Sequence, residues 1–238
     1  MYSSEEFYTK FAPFYEKYSS IKRNYIYTIN NFIKSESKLH LKMADVGSGD
    51  GKRSKEVAES IQASNLTLID NSDGMVAIAK NINGANVVFA DISDIKFKPD
   101  DKYEIVTCLW NVLGHISTAE KRKIALMNLT DLMEDNGLLF IDVNNRYNIS
   151  NYGLKAVLRN ICNDIFRFNK NKGDFELNLD TKNGRIQTKV HIFNPFEMNK
   201  LLKSAGLKIT KRQTINYKTG EKSSSFWGGQ LVYKLSKK

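Results

Sequence analysis

The chain of 238 residues is long enough to bury one large domain with an insertion, and it is short for two full domains. Its 41% hydrophobic and 26% charged residues are typical of a globular protein, and its apolar stretches are too short to cross a bilayer. Cys108 and Cys162 lack metal-ligand spacing, so we expect free thiols and no metal site. No basic region precedes an apolar core at the N-terminus, and we expect a cytoplasmic protein without a signal peptide.

The charge is distributed unevenly along the chain. Residues 1–143 contain 17 Lys and Arg against 20 Asp and Glu, whereas residues 144–238 contain 19 against 6. The net charge of +10 therefore arises in the C-terminal part. A basic region of this kind favours anionic partners such as RNA or an anionic metabolite.

The first part of the chain predicts helices followed by alternating strands and helices. Aromatic residues at helical spacing predict two amphipathic helices over 4–35. A helix is expected over 117–137, closed by Gly137. Strands that alternate with helices indicate parallel β-α-β units. The five predicted strands are "LKMADVG", "NLTLID", "ANVVFAD", "YEIVTCLWN" and "LLFIDVN".

The alternation breaks after the fifth strand. Residues 144–194 contain a helical stretch and then two alternating runs around "KNG", which predict a β-hairpin. A helix, a strand and a final strand "GGQLVYKLS" follow, and the final strand is expected to be antiparallel at the sheet edge. We therefore interpret 1–238 as a single domain, with 1–35 as a helical cover and 144–194 as an insertion that forms a lid.

Polar residues gather at the ends of the predicted strands. The turn "DVGSGDG" (45–51) ends the first strand, and Asp70, Asp91 and Asn111 end the next three. Ligands of open parallel sheets bind at these ends, which glycines let the backbone approach closely. The phosphate motif GxxxxGK(S/T) is absent, and "GSGDG" lacks the third glycine of GxGxxG. The acidic turn suits a ligand that is positively charged on one side.

In this order and spacing, "DVGSGDG", "LIDNSDGM", "FADI" and "LWNVLGHI" resemble the class I S-adenosylmethionine-dependent methyltransferases. The resemblance covers residues 40–143, and "PFEMNKLLKSAGLKI" extends it toward the C-terminus. It implies an α/β fold with a Rossmann-like doubly wound sheet, mostly parallel with an antiparallel last strand. It also implies S-adenosyl-L-methionine as the cofactor.

The resemblance assigns expected roles to individual residues. Asp70 would accept hydrogen bonds from both ribose hydroxyls. Asn111 would mark the edge that faces the methionine end and the substrate, and Tyr15 or Tyr8 would cover the cofactor. The residues expected at the methionine part are Asp45, Gly47, Ser48, Gly49 and Gly51. Those expected at the adenine are Asn71, Met75, Asp91 and Ile92.

Three side chains are candidates for catalysis or acceptor binding besides Asn111. His115 is the candidate general base, with a packing histidine as the alternative. His191, in the predicted hairpin, is a weaker candidate for the same role. Arg146 either pairs with a substrate carboxylate or phosphate or belongs to a surface hinge. The absence of DPPY and NPPY, and the place of Cys108 inside a strand, argue against methylation of nucleic-acid bases through those motifs.

The first interpretation is therefore methylation of N or O on a small-molecule acceptor, anionic or polar. RNA (tRNA) methylation through the basic C-terminal half is the alternative, and a non-catalytic S-adenosylmethionine-binding protein is the third. No membrane partner is expected. The oligomeric state and the acceptor are left open.

Overall fold

The computed structural model describes residues 1–166, 172–181, 184–223 and 225–238. The strands are β1 (Lys42–Val46), β2 (Asn65–Asp70), β3 (Ala85–Phe89), β4 (Tyr103–Cys108), β5 (Met133–Val143), β6 (Asp174–Thr181), β7 (Gly184–His191), β8 (Leu207–Ile215), β9 (Lys222–Ser223) and β10 (Gln230–Lys237). The helices are α1 (Ser4–Ser20), α2 (Arg23–Glu36), α3 (Lys52–Ser60), α4 (Asp73–Ala79), α5 (Val112–His115), α6 (Ala119–Leu132), α7 (Ile149–Tyr152), α8 (Leu154–Phe166) and α9 (Pro195–Ser204). None of the helices in these ranges is long and apolar enough to cross a membrane.

Eight strands form one sheet in the order β3-β2-β1-β4-β5-β10-β8-β9. Neighbours from β3 to β5 pair in parallel, and β10 pairs antiparallel with both β5 and β8. The predicted fold class, a mostly parallel doubly wound sheet with an antiparallel last strand, is confirmed. The expected edge position of the last strand is wrong, since β10 lies inside the sheet. Strand β10 lies inside the sheet because successive residues are buried on both of its faces: Leu231, Val232 and Tyr233 are all fully buried.

The predicted helix over 117–137 is shorter in the structure. Helix α6 ends at Leu132, and Met133 already pairs with Tyr103 of β4. Leu138 pairs with Ile105, so residues 134–137 form an irregularity within β5. Met133 is fully buried there, and its side chain fits the helical periodicity as well as the strand. Burial and pairing with β4 therefore decide a boundary that the apolar pattern leaves open.

Helices α1 and α2 differ in what they pack against. Helix α2 buries Tyr25, Ile29 and Phe32 in the core cluster on one face of the sheet. Helix α1 packs instead against α4 and β7, and its Phe7 and Phe11 cluster with Ile186 of β7. Helix α1 therefore bridges the sheet ends and the hairpin.

Residues 144–194 contain α7, α8 and a separate two-stranded sheet made of β6 and β7. The two strands pair antiparallel from Asp174–His191 to Thr181–Gly184, as the hairpin prediction expects. Of the "KNG" turn itself, residues 182 and 183 lie outside the described residues. The hairpin is tied to the N-terminus, since Tyr2 N donates to the Gln187 carbonyl at 2.8 Å.

Candidate active site

A cavity of about 330 Å³ lies beyond the carboxyl ends of β1, β2 and β4. Its floor consists of the chain that follows those strands. Helix α1, helix α5 and the β6–β7 hairpin form its walls. This is the position at which open parallel sheets bind ligands, beside the switch point at the first strand.

The glycine turn after β1 forms one side of the cavity. Gly47 and Gly49 have φ of +70° and +58°, and both line the cavity. A Cβ on Gly47 would lie 2.4 Å from Cγ2 of Val112, and one on Gly49 would lie 3.2 Å from Oη of Tyr15. Glycine is therefore required at both positions by conformation and by space. Gly51 does not line the cavity, and a Cβ at this position would lie 2.7 Å from Cδ1 of Leu68 in the core.

Asp70 and Asp91 bring two carboxylates to the cavity. Asp70 Oδ2 accepts from Gly49 N at 2.8 Å, and its Oδ1 accepts from Ser72 N at 2.9 Å. Burial raises the pKa of the Asp70 carboxyl above its ordinary value. Asp91 Oδ1 accepts from both N and Oγ of Ser93, so its orientation is fixed as well. Asn71, Met75 and Ile92, expected at the adenine, also line the cavity.

The side chains of Asp45 and Ser48 do not line the cavity, so a contact of Ser48 with the methionine part would come from its backbone. The buried Asp45 carboxylate accepts from Ser54 Oγ of α3 and Thr107 Oγ1 of β4, away from the cavity lining. The Asp45 carboxylate thereby connects the start of the glycine turn to helix α3 and strand β4. The Ser48 hydroxyl is buried without a hydrogen-bond partner among the described residues, and it does not line the cavity either.

The turn after β4 holds two consecutive residues in the left-handed region. Trp110 and Asn111 both have φ of +62°, an uncommon conformation for residues other than glycine. Asp142 of β5 fixes them, because its carboxylate accepts from Trp110 N at 2.6 Å and its carbonyl accepts from Asn111 N at 3.1 Å. Tyr25 donates to the same carboxylate at 2.7 Å. Strain held in this way by surrounding bonds is common at functional sites.

The Asn111 side chain lies in the cavity wall and also connects segments of the chain. Its Oδ1 accepts from Asn144 N at 2.9 Å, and its Nδ2 donates to the His191 carbonyl at 3.4 Å. Both ends of the amide are thus engaged by the protein. The arrangement supports a positioning role for the side chain at the strand-four edge.

His115, at the end of α5, lines the cavity together with Tyr8 of α1. Tyr8 Oη lies 2.9 Å from Nε2 of His115, while Nδ1 is buried without a partner in the described part of the chain. Burial lowers the pKa of the imidazole to about 4, so the ring is neutral near pH 7. Tyr8 and His115 therefore reach the cavity as a hydrogen-bonded pair with a neutral imidazole.

The structure corrects the expected role of Arg146 toward a substrate anion. Its guanidinium is 5% exposed and donates from Nε to Asp164 at 2.9 Å and from Nη1 to Glu197 at 2.6 Å. His191 joins the same cluster, with Nε2 2.8 Å from Glu197 and Nδ1 2.6 Å from Asp174. Neither Arg146 nor His191 lines the cavity. Both side chains instead connect the insertion to α9.

Aromatic side chains occupy much of the cavity wall, beyond those that the sequence singled out. Tyr18 stacks on Trp110 with centroids 5.9 Å apart, and Tyr15 lies 5.6 Å from the same ring. Trp110 Nε1 donates to Tyr217 Oη at 3.0 Å. Helical spacing predicts that Tyr18 lies on the apolar face of its helix. No local pattern predicts that Trp110 and Tyr217 lie beside it in the cavity wall.

This strand order, with a glycine turn and carboxylates at successive strand ends, defines an α/β protein that binds a nucleoside cofactor. Residues 43–137 match the family model described as a methyltransferase domain, and the solved structures that share this fold include S-adenosylmethionine-dependent methyltransferases. The predicted family and the predicted cofactor, S-adenosyl-L-methionine, are thereby confirmed.

Three relatives illustrate the similarity. Over 100 residues the chain is 27% identical to malonyl-(acyl-carrier protein) O-methyltransferase of Acetivibrio thermocellus, and the match spans 42% of this chain but only 35% of that protein. An S-adenosylmethionine-dependent methyltransferase of Clostridium acetobutylicum superposes with a TM-score of 0.66 at 16% identity, covering 96% of this chain and 98% of that one. A methyltransferase of Haloferax volcanii, solved in complex with the Trm112 methyltransferase activator, gives 0.68 at 11% identity, covering 99% and 97%.

The residues present fit this cofactor. Gly47 and Gly49 line the cavity with backbone alone, and Asp70 presents an oriented carboxylate to the cavity. Asp91 receives both of its hydrogen bonds on Oδ1, which leaves Oδ2 without a partner among the described residues. Carboxylates held this way accept hydrogen bonds from ribose hydroxyls and from an adenine amino group.

Proposed function

We propose that the protein transfers the methyl group of S-adenosylmethionine to nitrogen or oxygen of a small-molecule acceptor. The observation that carries this proposal is a single cavity with two different halves. One half holds Gly47, Gly49, Asp70 and Asp91, and the other lies under α1 and the β6–β7 hairpin. The first half suits the cofactor, and the second half suits an acceptor of limited size.

When bound, the cofactor supplies an electrophilic methyl carbon on a sulfonium, which needs positioning more than covalent help. The chain contributes that positioning. Asp70 would hold the ribose and Asp91 the adenine amino group, while Tyr15 would close over the cofactor beside Gly49. The aromatic wall excludes water from the place where the acceptor would lie. Trp110 and Asn111, fixed by Asp142, would set the shape of the cavity at its substrate side.

The charge of the cavity favours a small molecule over RNA. Residues 144–238 carry the basic excess, yet the residues that they contribute to the lining are uncharged. These residues are Asn144, Leu177, Leu179, Val190 and Tyr217. The positive charge therefore lies outside the cavity. RNA methylation stays the second candidate, because an external basic surface could hold phosphates.

The insertion is proposed to act as a lid. Val190 and Leu177 of the hairpin line the cavity, and the hairpin packs against α1 and α5 rather than on the main sheet. Hydrogen exchange with and without S-adenosylhomocysteine tests this proposal. Slower exchange across β6 and β7 on binding, with β8 unchanged as the control, supports a lid, and equal exchange in both states contradicts it.

The proposed function is tested by methyl incorporation from labelled S-adenosylmethionine into two fractions of a cell extract, small molecules and total RNA. We expect label in the first. RNA binding measured at about 50 and 200 mM salt distinguishes phosphate contacts, whose affinity falls steeply over that range. Label in RNA with salt-sensitive binding would reverse the choice. Cofactor binding without label in either fraction would favour a non-catalytic protein.

A further inference from the structure

Seven aromatic side chains line the cavity: Phe7, Tyr8, Phe11, Tyr15, Tyr18, Trp110 and Tyr217. They form a connected wall, in which Tyr15 and Tyr18 both contact Trp110 and Phe11 contacts Tyr18 at 5.5 Å between centroids. The electron-rich faces of such rings attract organic cations, and the attraction grows as water is excluded. The wall is thus suited to a ligand that carries or develops positive charge.

The ionisable residues of the lining do not favour an anionic acceptor. Three acids line the cavity, Glu5, Asp70 and Asp91, of which Asp70 and Asp91 are assigned to the cofactor and Glu5 is exposed. Among the described residues of the lining the fixed cation is Lys121, an exposed residue in the first turn of α6. A buried carboxylate or phosphate normally requires a guanidinium or ammonium beside it. The cavity offers an anionic acceptor no such buried partner, which is opposite to the anionic acceptor expected from the overall charge.

The Tyr8–His115 pair is a poor proton acceptor. Nε2 of His115 is engaged by Tyr8 at 2.9 Å, Nδ1 is buried, and the lowered pKa makes the imidazolium unfavourable. An alcohol must give up its proton as it is methylated, so it needs a base. An amine that has lost its proton to bulk water before it binds attacks with its lone pair and needs no base in the site. The site therefore favours nitrogen over oxygen.

We propose that the acceptor is an amine methylated on nitrogen and that the aromatic wall holds the positive charge that reaches this nitrogen. This inference rests on the proposed methyl transfer. The nitrogen lone pair forms the new bond to the methyl carbon, the sulfur–carbon bond breaks, and its electron pair stays on sulfur. The positive charge moves from sulfur to nitrogen, and the product leaves as an ammonium ion that keeps its proton. The ring faces contact the charge before and after the transfer.

The test uses the full-length protein saturated with S-adenosylhomocysteine and three probes of equal shape. Choline carries a fixed cation, 3,3-dimethylbutan-1-ol is its uncharged counterpart, and 3,3-dimethylbutanoate is an anion. Calorimetry should show choline binding about tenfold tighter than the alcohol, with the anion weakest. Tyr18→Leu should remove most of this preference, and Tyr18→Phe, which keeps the ring, should retain it. Tyr27→Leu, an exposed tyrosine on α2, is the matched control.

The outcomes separate this inference from the function on which it rests. If S-adenosylhomocysteine does not bind, the proposed function fails, and the amine inference fails with it. If it binds and choline shows no preference over the alcohol, or does not bind detectably, only the amine inference is overturned. A preference that survives in Tyr18→Leu also overturns the aromatic wall as its source. Thermal unfolding of each variant before titration identifies loss of folding.

Discussion

The two sides of the cavity are built in different ways. The rim, made of residues 47–49, 70–71 and 110–111, follows the main sheet and is held by short hydrogen bonds to backbone groups. The cover, made of α1 and the β6–β7 hairpin, is held mainly by packed rings and by a few bonds such as that between Tyr2 and Gln187. The rim is thus fixed by local geometry, and the cover depends on contacts between distant segments. We expect changes in the rim to affect cofactor binding and changes beneath the cover to affect stability and closure.

The largest effect is expected where the insertion is anchored. Arg146→Met removes the partner of two carboxylates, Asp164 and Glu197, in a buried cluster. Leaving buried charges unpaired costs about 3–5 kcal/mol of unfolding free energy. Urea unfolding should show this loss. Arg185→Met is the control, since Arg185 is exposed and lies 3.9 Å from Asp180, where an ion pair contributes about 0–1 kcal/mol. Equal losses in the two variants would contradict a structural role for Arg146.

The next effect concerns the rim. Gly47→Ala places a Cβ within 2.4 Å of Val112 at a φ of +70°. Overpacking and the unfavourable backbone conformation together should cost about 2–4 kcal/mol and displace the turn from the cofactor. Gly84→Ala is a matched control, because Gly84 has a φ of +77° but its Cβ would meet Lys55 Nζ only at 3.9 Å, an ordinary contact distance. Calorimetry with S-adenosylhomocysteine should detect lost binding only for Gly47→Ala, and similar affinities would remove the turn from the site.

The rim could be predicted from the sequence because its residues are placed by neighbours in the chain. A glycine turn after one apolar strand and acids at the ends of the next two give the order of the sheet and the edge where a ligand binds. Local pattern does not give the direction of each side chain, however. Asp45 and Asp70 both lie at strand ends, and Asp70 lines the cavity. The Asp45 carboxylate instead accepts hydrogen bonds from Ser54 and Thr107 inside the protein.

The cover and the acceptor side could be predicted only in part. Composition shows the insertion, and helical spacing shows α1, but neither shows that Trp110, Tyr18 and Tyr217 meet in one wall. Those residues are separated by 92 and 107 positions, and their contact depends on the strand order. The distribution of charge along the chain has the same limit, since it carries no information about which face the lysines occupy.

A smaller effect is expected at the ribose position. Asp70→Asn keeps the size of the side chain but removes the charge that accepts from Gly49 N. Affinity for S-adenosylhomocysteine should weaken by about 1–3 kcal/mol, the range for hydrogen bonds to a charged group. Asp73→Asn, at an exposed position on α4 three residues along the chain, should leave affinity unchanged. Calorimetry that finds Asp70→Asn indistinguishable from the Asp73 control would exclude Asp70 from the cofactor contact.

The smallest effect lies where rim and cover meet, at His115 and Tyr8. The folded state lowers the pKa of His115 from its ordinary value of 6.5 to about 4, so the unfolded state binds more protons between these values. Stability from this group is fully present above pH 6.5 and is lost as the pH falls toward 4. Because the residue as a whole is half-buried, we expect a loss of only about 1–2 kcal/mol. Urea unfolding is measured between pH 7.5 and 4.5 at intervals of about half a pH unit. Over this range the unfolding free energy of the wild type should fall by this amount relative to that of His115→Gln.

The difference between the two unfolding profiles isolates His115, since the buried carboxylates titrate alike in both proteins and cancel. His40→Asn serves as the matched control, because His40 is exposed, has a φ of +62° that asparagine tolerates, and should give a profile parallel to the wild type. Parallel profiles for His115→Gln would mean that the imidazole titrates normally in the folded protein. In that case Tyr8 would not shield it, and His115 would again be a candidate base for the acceptor.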